Sequence, residues 1–350
     1  MKVFYSTIIL LLIVLVSQAC EIPVFRYALE RWAADKYQLV VYKAEEGFSE
    51  DDKLILDKLY DRLPDKNGNL NLKISVKQGD APASTLELKY PSQVKNNTPV
   101  WKGILNEENL SNLLDSPARK TLQKLLLSGE SVIWITIDPD QKLLDDLTKY
   151  SELFSGKYKL SEEIIQMDEK DKIDSITTKK ELDNVIRSTI PLKISFTTLK
   201  VNRNDPKEEV FLNMLLSQWP ELRHSDKPVV IPVFGRGRFL EAAPAELLDQ
   251  LSFKKLTDYL CSGCSCTVKT ENPGIDLLMD VPWGNYVSES VLKMKAIPSL
   301  SGISADLQEP EKQVKEDKLE ELNEQGTSLF QYLTILLVSG ALIIFFLKKK

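Results

Sequence analysis

Histidine is almost missing: His224 is the single one among 350 residues. A Ser/His/Asp device would rest on that residue alone, and a metal site built mainly on imidazoles is excluded. His224 stands in LRHSDKP, a loop-like stretch, and reads as a surface residue. No GxSxG, P-loop, HExxH or Rossmann glycine set occurs, and Gly235-Arg236-Gly237 lacks the third glycine and the following helix that a dinucleotide site needs. A basic excess is missing too. The net charge is -6, with lysines interleaved among Asp and Glu, so nucleic acid is excluded as a partner.

Long uncharged runs occur only at the two ends. Met1-Lys2, an apolar run from Ile8 to Val16 and Ser17-Gln18-Ala19 have the three parts of a secretory signal, which assigns residues 1–19 to a signal peptide. Cleavage after Ala19 makes Cys20 the first mature residue, either lipidated or plain; the Ser-Gln-Ala before it departs from the usual lipobox. At the other end, Leu329 to Leu347 carries no charge and is followed by Lys348-Lys349-Lys350, the pattern of a single transmembrane helix with a cytoplasmic tail. The expected location is a membrane, with the bulk of the chain extracytoplasmic, on the periplasmic or cell-surface side. Residues 301–327 are charge-rich and poor in apolar side chains, a solvated stalk, and 328–350 hold the span and its lysines.

Cysteine is scarce, and three of the four lie in CSGCSC as Cys261, Cys264 and Cys266. Three readings of the cluster stand. Extracytoplasmic thiols oxidise, so a disulfide is the first, with Cys20 as a partner for the odd sulfur. A metal site is the second: Zn would need a fourth ligand from Cys20, His224 or a carboxylate, whereas Cu(I) accepts fewer. Active redox thiols are the third, with Lys269 placed to lower a neighbouring thiol pKa.

Between the ends, helical and strand-like periodicities alternate. Val24 to Trp32 has helical spacing, YQLVVYK and LNLKISVKQ read as strands, and DKLILDKLYDRL reads as the helix between them. This predicts an α/β domain over 20–128. A second domain is expected over 129–300, opening with the buried strand in ESVIWITIDPD and carrying a charged helical insertion and the cysteine cluster. PLKISFTTLKV follows as a strand, Asp205-Pro206 as a helix start, and PVVIPVFGRGRFLEAAP as two strands about a Gly-Arg-Gly turn. Arg236 and Arg238 at that turn are candidates for an anion, or solvent-facing residues. The five tryptophans are spread as core residues are.

From Glu130 to Leu260 this order resembles the thioredoxin fold, with PVVIPVFGRGRFLEA as its third and fourth strands. The resemblance implies that Pro228 occupies the cis-proline position, and that the residues after the first strand, where the fold's redox members carry CxxC, are Asp138-Pro139-Asp140-Gln141. Dithiol exchange in the thioredoxin manner is thereby excluded. Cys20-Glu21-Ile22-Pro23 before a helix is a weaker echo of the same fold in the first domain. The phrases CEIPVFRYALERW, VFGRGRFLEA and CSCTVKTENPGIDLLMDVPW also resemble a group of uncharacterised bacterial signal-peptide proteins, which implies a location and no activity. The expected fold is α/β with two thioredoxin-like domains. The expected function is a non-enzymatic, membrane-tethered binding or assembly module acting on another envelope protein. A thiol-redox or metal-handling protein using CSGCSC is the alternative.

Overall fold

A computed structural model describes residues 20–66, 68–95, 98–263 and 272–288. The signal peptide, stalk, apolar C-terminal run, Cys264, Cys266 and Lys269 lie outside the described residues. The fold is mixed α/β, built on two sheets. Among the described residues no helix is long and apolar enough to cross a membrane.

The first sheet has strand order β2-β1-β3-β4, from β1 (Tyr37–Lys43), β2 (Leu72–Gln78), β3 (Thr85–Lys89) and β4 (Trp101–Ile104). β1 and β2 are parallel, and β3 runs antiparallel to both β1 and β4. The parallel pair needs a crossover, and helix α2 (Glu50–Tyr60) supplies it. Its start is fixed by a capping box in which Ser49 and Asp52 satisfy each other's backbone N–H. Helices α3 (Glu107–Leu114) and α4 (Pro117–Leu127) follow, each begun by a side-chain cap, Asn106 and Ser116.

The second sheet is larger. Its path is β10-β8-β7-β5-β6, with β9 also on β7, from β5 (Val132–Ile137), β6 (Phe196–Val201), β7 (Val229–Phe234), β8 (Arg238–Phe239), β9 (Ala243–Pro244) and β10 (Ile275–Asp276). β5 and β6 are parallel, while β7 is antiparallel to β5 and β8. Every residue of β5 and β7 is buried, as their unbroken apolar sequences require of strands covered on both faces. α5 (Gln141–Ser155) and α10 (Gln250–Cys261) pack on one face, and α8 (Glu209–Leu216) contributes to the core on the other. The charged stretch from Gly156 to Ser195 is mostly irregular, with two short helices, α6 (Lys170–Asp174) and α7 (Lys179–Asp183); α9 (Pro220–Arg223) follows α8.

The two sheets share one continuous apolar core. Leu39, Val41 and Leu88 of the first and Ile133, Ile135 and Ile231 of the second belong to it, with Leu122, Phe211 and Leu215 from the helices. Tyr90 extends this join by donating its hydroxyl to the Met214 carbonyl at 2.7 Å.

The N-terminal helix α1 (Val24–Arg31) departs from the expected division at residue 128, because it packs with the second sheet. Val24, Phe25 and Ala28 join the cluster around Trp134 and Phe253. A Cβ at Gly235 would come within 2.9 Å of the Ala28 Cβ, and Gly235 and Gly237 have φ of 62° and 95°. Glycine there serves both the hairpin and the helix that lies on it. The buried Arg26–Glu30 pair, 2.6 Å apart, holds the other side of α1. Arg26 donates to the Ser188 carbonyl at 3.2 Å, and Glu30 accepts from the Arg187 backbone N–H at 2.9 Å. Each charge of this buried pair thus has further hydrogen bonds, the condition under which such burial is tolerated.

Candidate binding cleft

The turn after β5 is the place to ask about redox chemistry. Asp138 has φ 47°, in the left-handed region. Its carboxylate accepts from the Arg203 backbone N–H at 2.9 Å and from Arg203 Nε at 3.2 Å, and Arg203 Nη1 goes on to the Leu222 carbonyl at 2.8 Å. Asp140 caps α5 by accepting from the Leu143 N–H at 2.7 Å. Asp138-Pro139-Asp140-Gln141 is therefore a turn whose carboxylates are engaged in structure.

Pro228 lies beside that turn, sharing with Asp140 a shallow hollow of about 410 Å³. Its preceding peptide is trans, a correction to the cis-proline expectation. Around it, Lys142 pairs with Asp146 at 2.6 Å and Lys227 with Glu246 at 3.0 Å. No thiol lines the hollow. His224 is exposed, as its loop context predicts.

The described cysteines are free thiols held by packing. Cys20 is buried with Ile22, Ile164 and Ile186, and its Sγ donates to the Asp183 carbonyl at 3.1 Å. Burial pushes its thiol pKa up. Cys261 ends α10, partly buried against the Trp134–Phe253 cluster, and burial together with the nearby Asp258 carboxylate raises its pKa to about 12. The N-terminal segment runs against the start of the cysteine cluster: Pro23 bridges Gly263, and the Val24 N–H donates to the Ser262 carbonyl at 3.0 Å. A Cβ on Gly263 would come within 2.6 Å of the Cys20 carbonyl oxygen. Cys20 and the residue preceding Cys264 are thus neighbours. Among the described residues no group of three His, Cys, Asp or Glu side chains is placed to hold a metal ion.

A larger cavity lies elsewhere, a cleft of about 950 Å³ beside β7 and α10. β5 and β7 contribute Trp134, Val230 and Pro232, α10 contributes Leu256, and Leu240 and Trp219 complete the apolar wall. β7 pairs with β8 at Val233 and Phe234 and with β9 at Val229 and Val230, and between these pairings the linking chain, Leu240 to Ala242, leaves the regular ladder. Proline at 232 fits a strand position beside such an interruption, since it has no N–H to donate.

Polar residues also line this cleft, among them Gln93, Glu241 and Asn272, while Arg238, Asp35 and Ser252 are committed to other contacts. Arg238 is buried and ion-paired with Asp276 at 2.5 Å and Asp35 at 3.1 Å, and it also donates to the Pro273 carbonyl. Burial raises the Asp276 pKa, with Arg238 opposing the shift. Ser252, the hydroxyl on the wall, belongs to the capping box of α10 with Asp249. Trp134 Nε1 is buried there without a hydrogen-bond partner among the described residues. An unpaired buried group of this kind costs stability, about 1–3 kcal/mol, unless water or a ligand satisfies it. The chemistry available is the binding of an apolar group.

Sequence reading missed this site. Trp134 sits in an apolar run that signals a buried strand and nothing further, and Arg238 is identified as an anion candidate until Asp276, distant in sequence, is seen to neutralise it. Arg236 is occupied as well, donating to the Leu29 carbonyl at 2.7 Å. No family model, no curated protein and no solved structure matches this chain.

Proposed function

We propose that this chain is a redox-inactive, thioredoxin-like binding module, tethered to a membrane by its C-terminal apolar segment and acting on the extracytoplasmic side. The observation that carries the reading is the strand order. β8-β7-β5-β6, with β7 antiparallel to its neighbours, is the arrangement of the thioredoxin fold, and Asp138 to Gln141 stand at the helix start where redox members of that fold carry their dithiol. The first sheet repeats the arrangement as β4-β3-β1-β2, without a helix between β2 and β3. A fold without its reactive centre and with an apolar cleft supports binding, and the partner is another envelope protein that inserts an apolar group into the cleft.

The alternative, thiol-redox or metal-handling through Cys261, Cys264 and Cys266, is disfavoured at Cys261. A thiol with a pKa near 12 is a poor nucleophile and a poor ligand at neutral pH.

The test uses the full chain expressed in membranes and cross-linked before extraction. A discrete cross-linked complex is expected, and Leu256→Glu, which puts a charge into the cleft, abolishes it while the chain stays folded and membrane-bound. Catalytic dithiol-disulfide turnover by the purified chain would overturn the reading, as would a complex indifferent to Leu256→Glu.

A further inference from the structure

The first sheet has one face in the shared core and one without a helix among the described residues. Register fixes the residues of the open face: Gln38, Val40 and Tyr42 of β1 lie beside Lys73, Ser75 and Lys77 of β2, beside Lys89, Glu87 and Thr85 of β3, and β3 in turn sets Glu87 opposite Lys102 and Thr85 opposite Ile104. The helices α2, α3 and α4 place Ile55, Leu59, Leu110 and Leu122 in the core on the opposite face. Only residues 79–84 join β2 to β3, whereas residues 202–228, with α8 and α9, join the corresponding strands of the second sheet.

The charge of this face is mainly basic. Lys73, Lys77, Lys89 and Lys102 share it with Glu87, and Asp80 lies at its edge, in a chain whose net charge is -6. Glu87 is paired with both Lys89 and Lys102 at 2.7 Å. Lys73 and Lys77 are exposed on the outer strand. Ile104 is 53 % exposed on the far strand, next to a hollow of about 460 Å³ that Tyr42 and Thr85 also line.

We propose that this open face docks on the anionic surface of the bilayer that holds the chain. The inference rests on the tethered reading of the C-terminal run. An array of lysines is attracted electrostatically to any leaflet that carries anionic headgroups, and exposed Ile104 with the partly buried Tyr42 suits the interfacial zone. Docking through the first sheet leaves the cleft of the second free for its partner.

The experiment reconstitutes the full chain into nanodiscs of phosphatidylcholine alone or with about one-third phosphatidylglycerol, and follows acetylation of each lysine by mass spectrometry. Lys73, Lys77 and Lys102 are expected to react about tenfold more slowly in the anionic discs, with Lys120 and Lys254 on the helices unchanged. The protection should vanish at about 0.5 M salt, where screening is strong. In the chain carrying K73Q, K77Q and K102Q, Lys89 should react alike in both discs. Equal rates in the two discs overturn the proposal and leave the face to an acidic protein, and protection that persists in pure phosphatidylcholine overturns its electrostatic basis. A chain that fails to enter the discs refutes the tether alone. Sedimentation of that chain with free phosphatidylglycerol vesicles then decides the docking: dependence on Lys73 and Lys77 sustains it, and no sedimentation overturns it.

Discussion

Cys261 offers the sharpest measurement. Its sulfur is packed against the cluster around Phe253, with Asp258 one helical turn earlier. Burial is the larger cause and the carboxylate the smaller, and together they raise the pKa from 9.0 to about 12. At neutral pH the thiolate fraction falls about a thousandfold below that of an ordinary thiol, and alkylation slows with it, because the thiolate is the nucleophile. The assay is alkylation of the reduced, native full chain by iodoacetamide over a pH series, read at the Cys261 peptide against the urea-unfolded chain. Restricted access lowers all rates by one factor, whereas a raised pKa changes their pH dependence, so the curve separates the two. The Cys261 rate should climb tenfold per unit from about pH 8 to about pH 10 without levelling, while the unfolded chain levels off near 9. Asp258→Asn should move the curve by less than about one unit, since burial remains. Levelling of the native curve below pH 9, or a neutral-pH rate within about tenfold of the unfolded chain's, would refute the reasoning and return the cluster to redox chemistry. The same shift has a stability consequence of definite sign. The folded state keeps its proton where the unfolded chain has lost it, so this contribution is complete below pH 9 and is lost as pH rises through the folded value near 12.

Phe253 is fully buried, with its ring centroid 4.6 Å from Trp134, 5.6 Å from Tyr150 and Phe154, and 5.8 Å from Phe196. Phe253→Ala should cost about 3–5 kcal/mol by urea denaturation, because four rings around the cavity cannot close it, and a loss below about 1 kcal/mol would show that they do. Acid should weaken the fold through Glu87 and Glu130. Burial alone would raise both carboxyls, but the Lys102 and Lys89 contacts of Glu87, and the Lys193, Ser195 and Thr197 contacts of Glu130, hold them below the ordinary 4.5. Their stabilisation is complete above pH 4.5 and is lost as pH falls through the lowered folded values. The urea midpoint of the wild-type chain should therefore drop more steeply below about pH 4.5 than that of Glu87→Gln/Glu130→Gln; parallel curves would exclude these groups as the source.

Local order was legible where each residue's role is set by its near neighbours. The apolar runs at Val132 to Ile137 and Val229 to Phe234 announce strands covered on both faces, and the glycines at 235 and 237 announce the turn. Asp205 does begin a helical turn, accepting from the Lys207 N–H at 3.0 Å, although the turn is 3-10 before α8 takes over. Long-range choices were not legible. An apolar stripe on α1 says that the helix must be covered, not that the second sheet covers it. The isolated charges of Arg26, Glu30 and Arg238 look like surface residues until their partners are known, and all three are buried. The cleft escaped for the same reason, since a cavity is a space between elements and has no period along the chain.

The first sheet's order β4-β3-β1-β2 corresponds to β8-β7-β5-β6 of the second, which also carries β9 and β10, and the two differ in the connection between their parallel and antiparallel strands. With six residues between β2 and β3, no helix of useful length fits, so the face that α8 would otherwise cover must meet water or a partner. Solvation alone asks only for polar side chains, and Ser75 and Thr85 meet that need without charge. Lysines at 73, 77, 89 and 102 outnumber the carboxylates of Glu87 and Asp80 and add a sign to the surface, in a chain that is otherwise acidic. Repulsion among lysines on one sheet face lowers stability unless something anionic lies over them. In solution Glu87 relieves this only at its own two neighbours, Lys89 and Lys102. The outer strand's Lys73 and Lys77 would find their relief at an anionic surface.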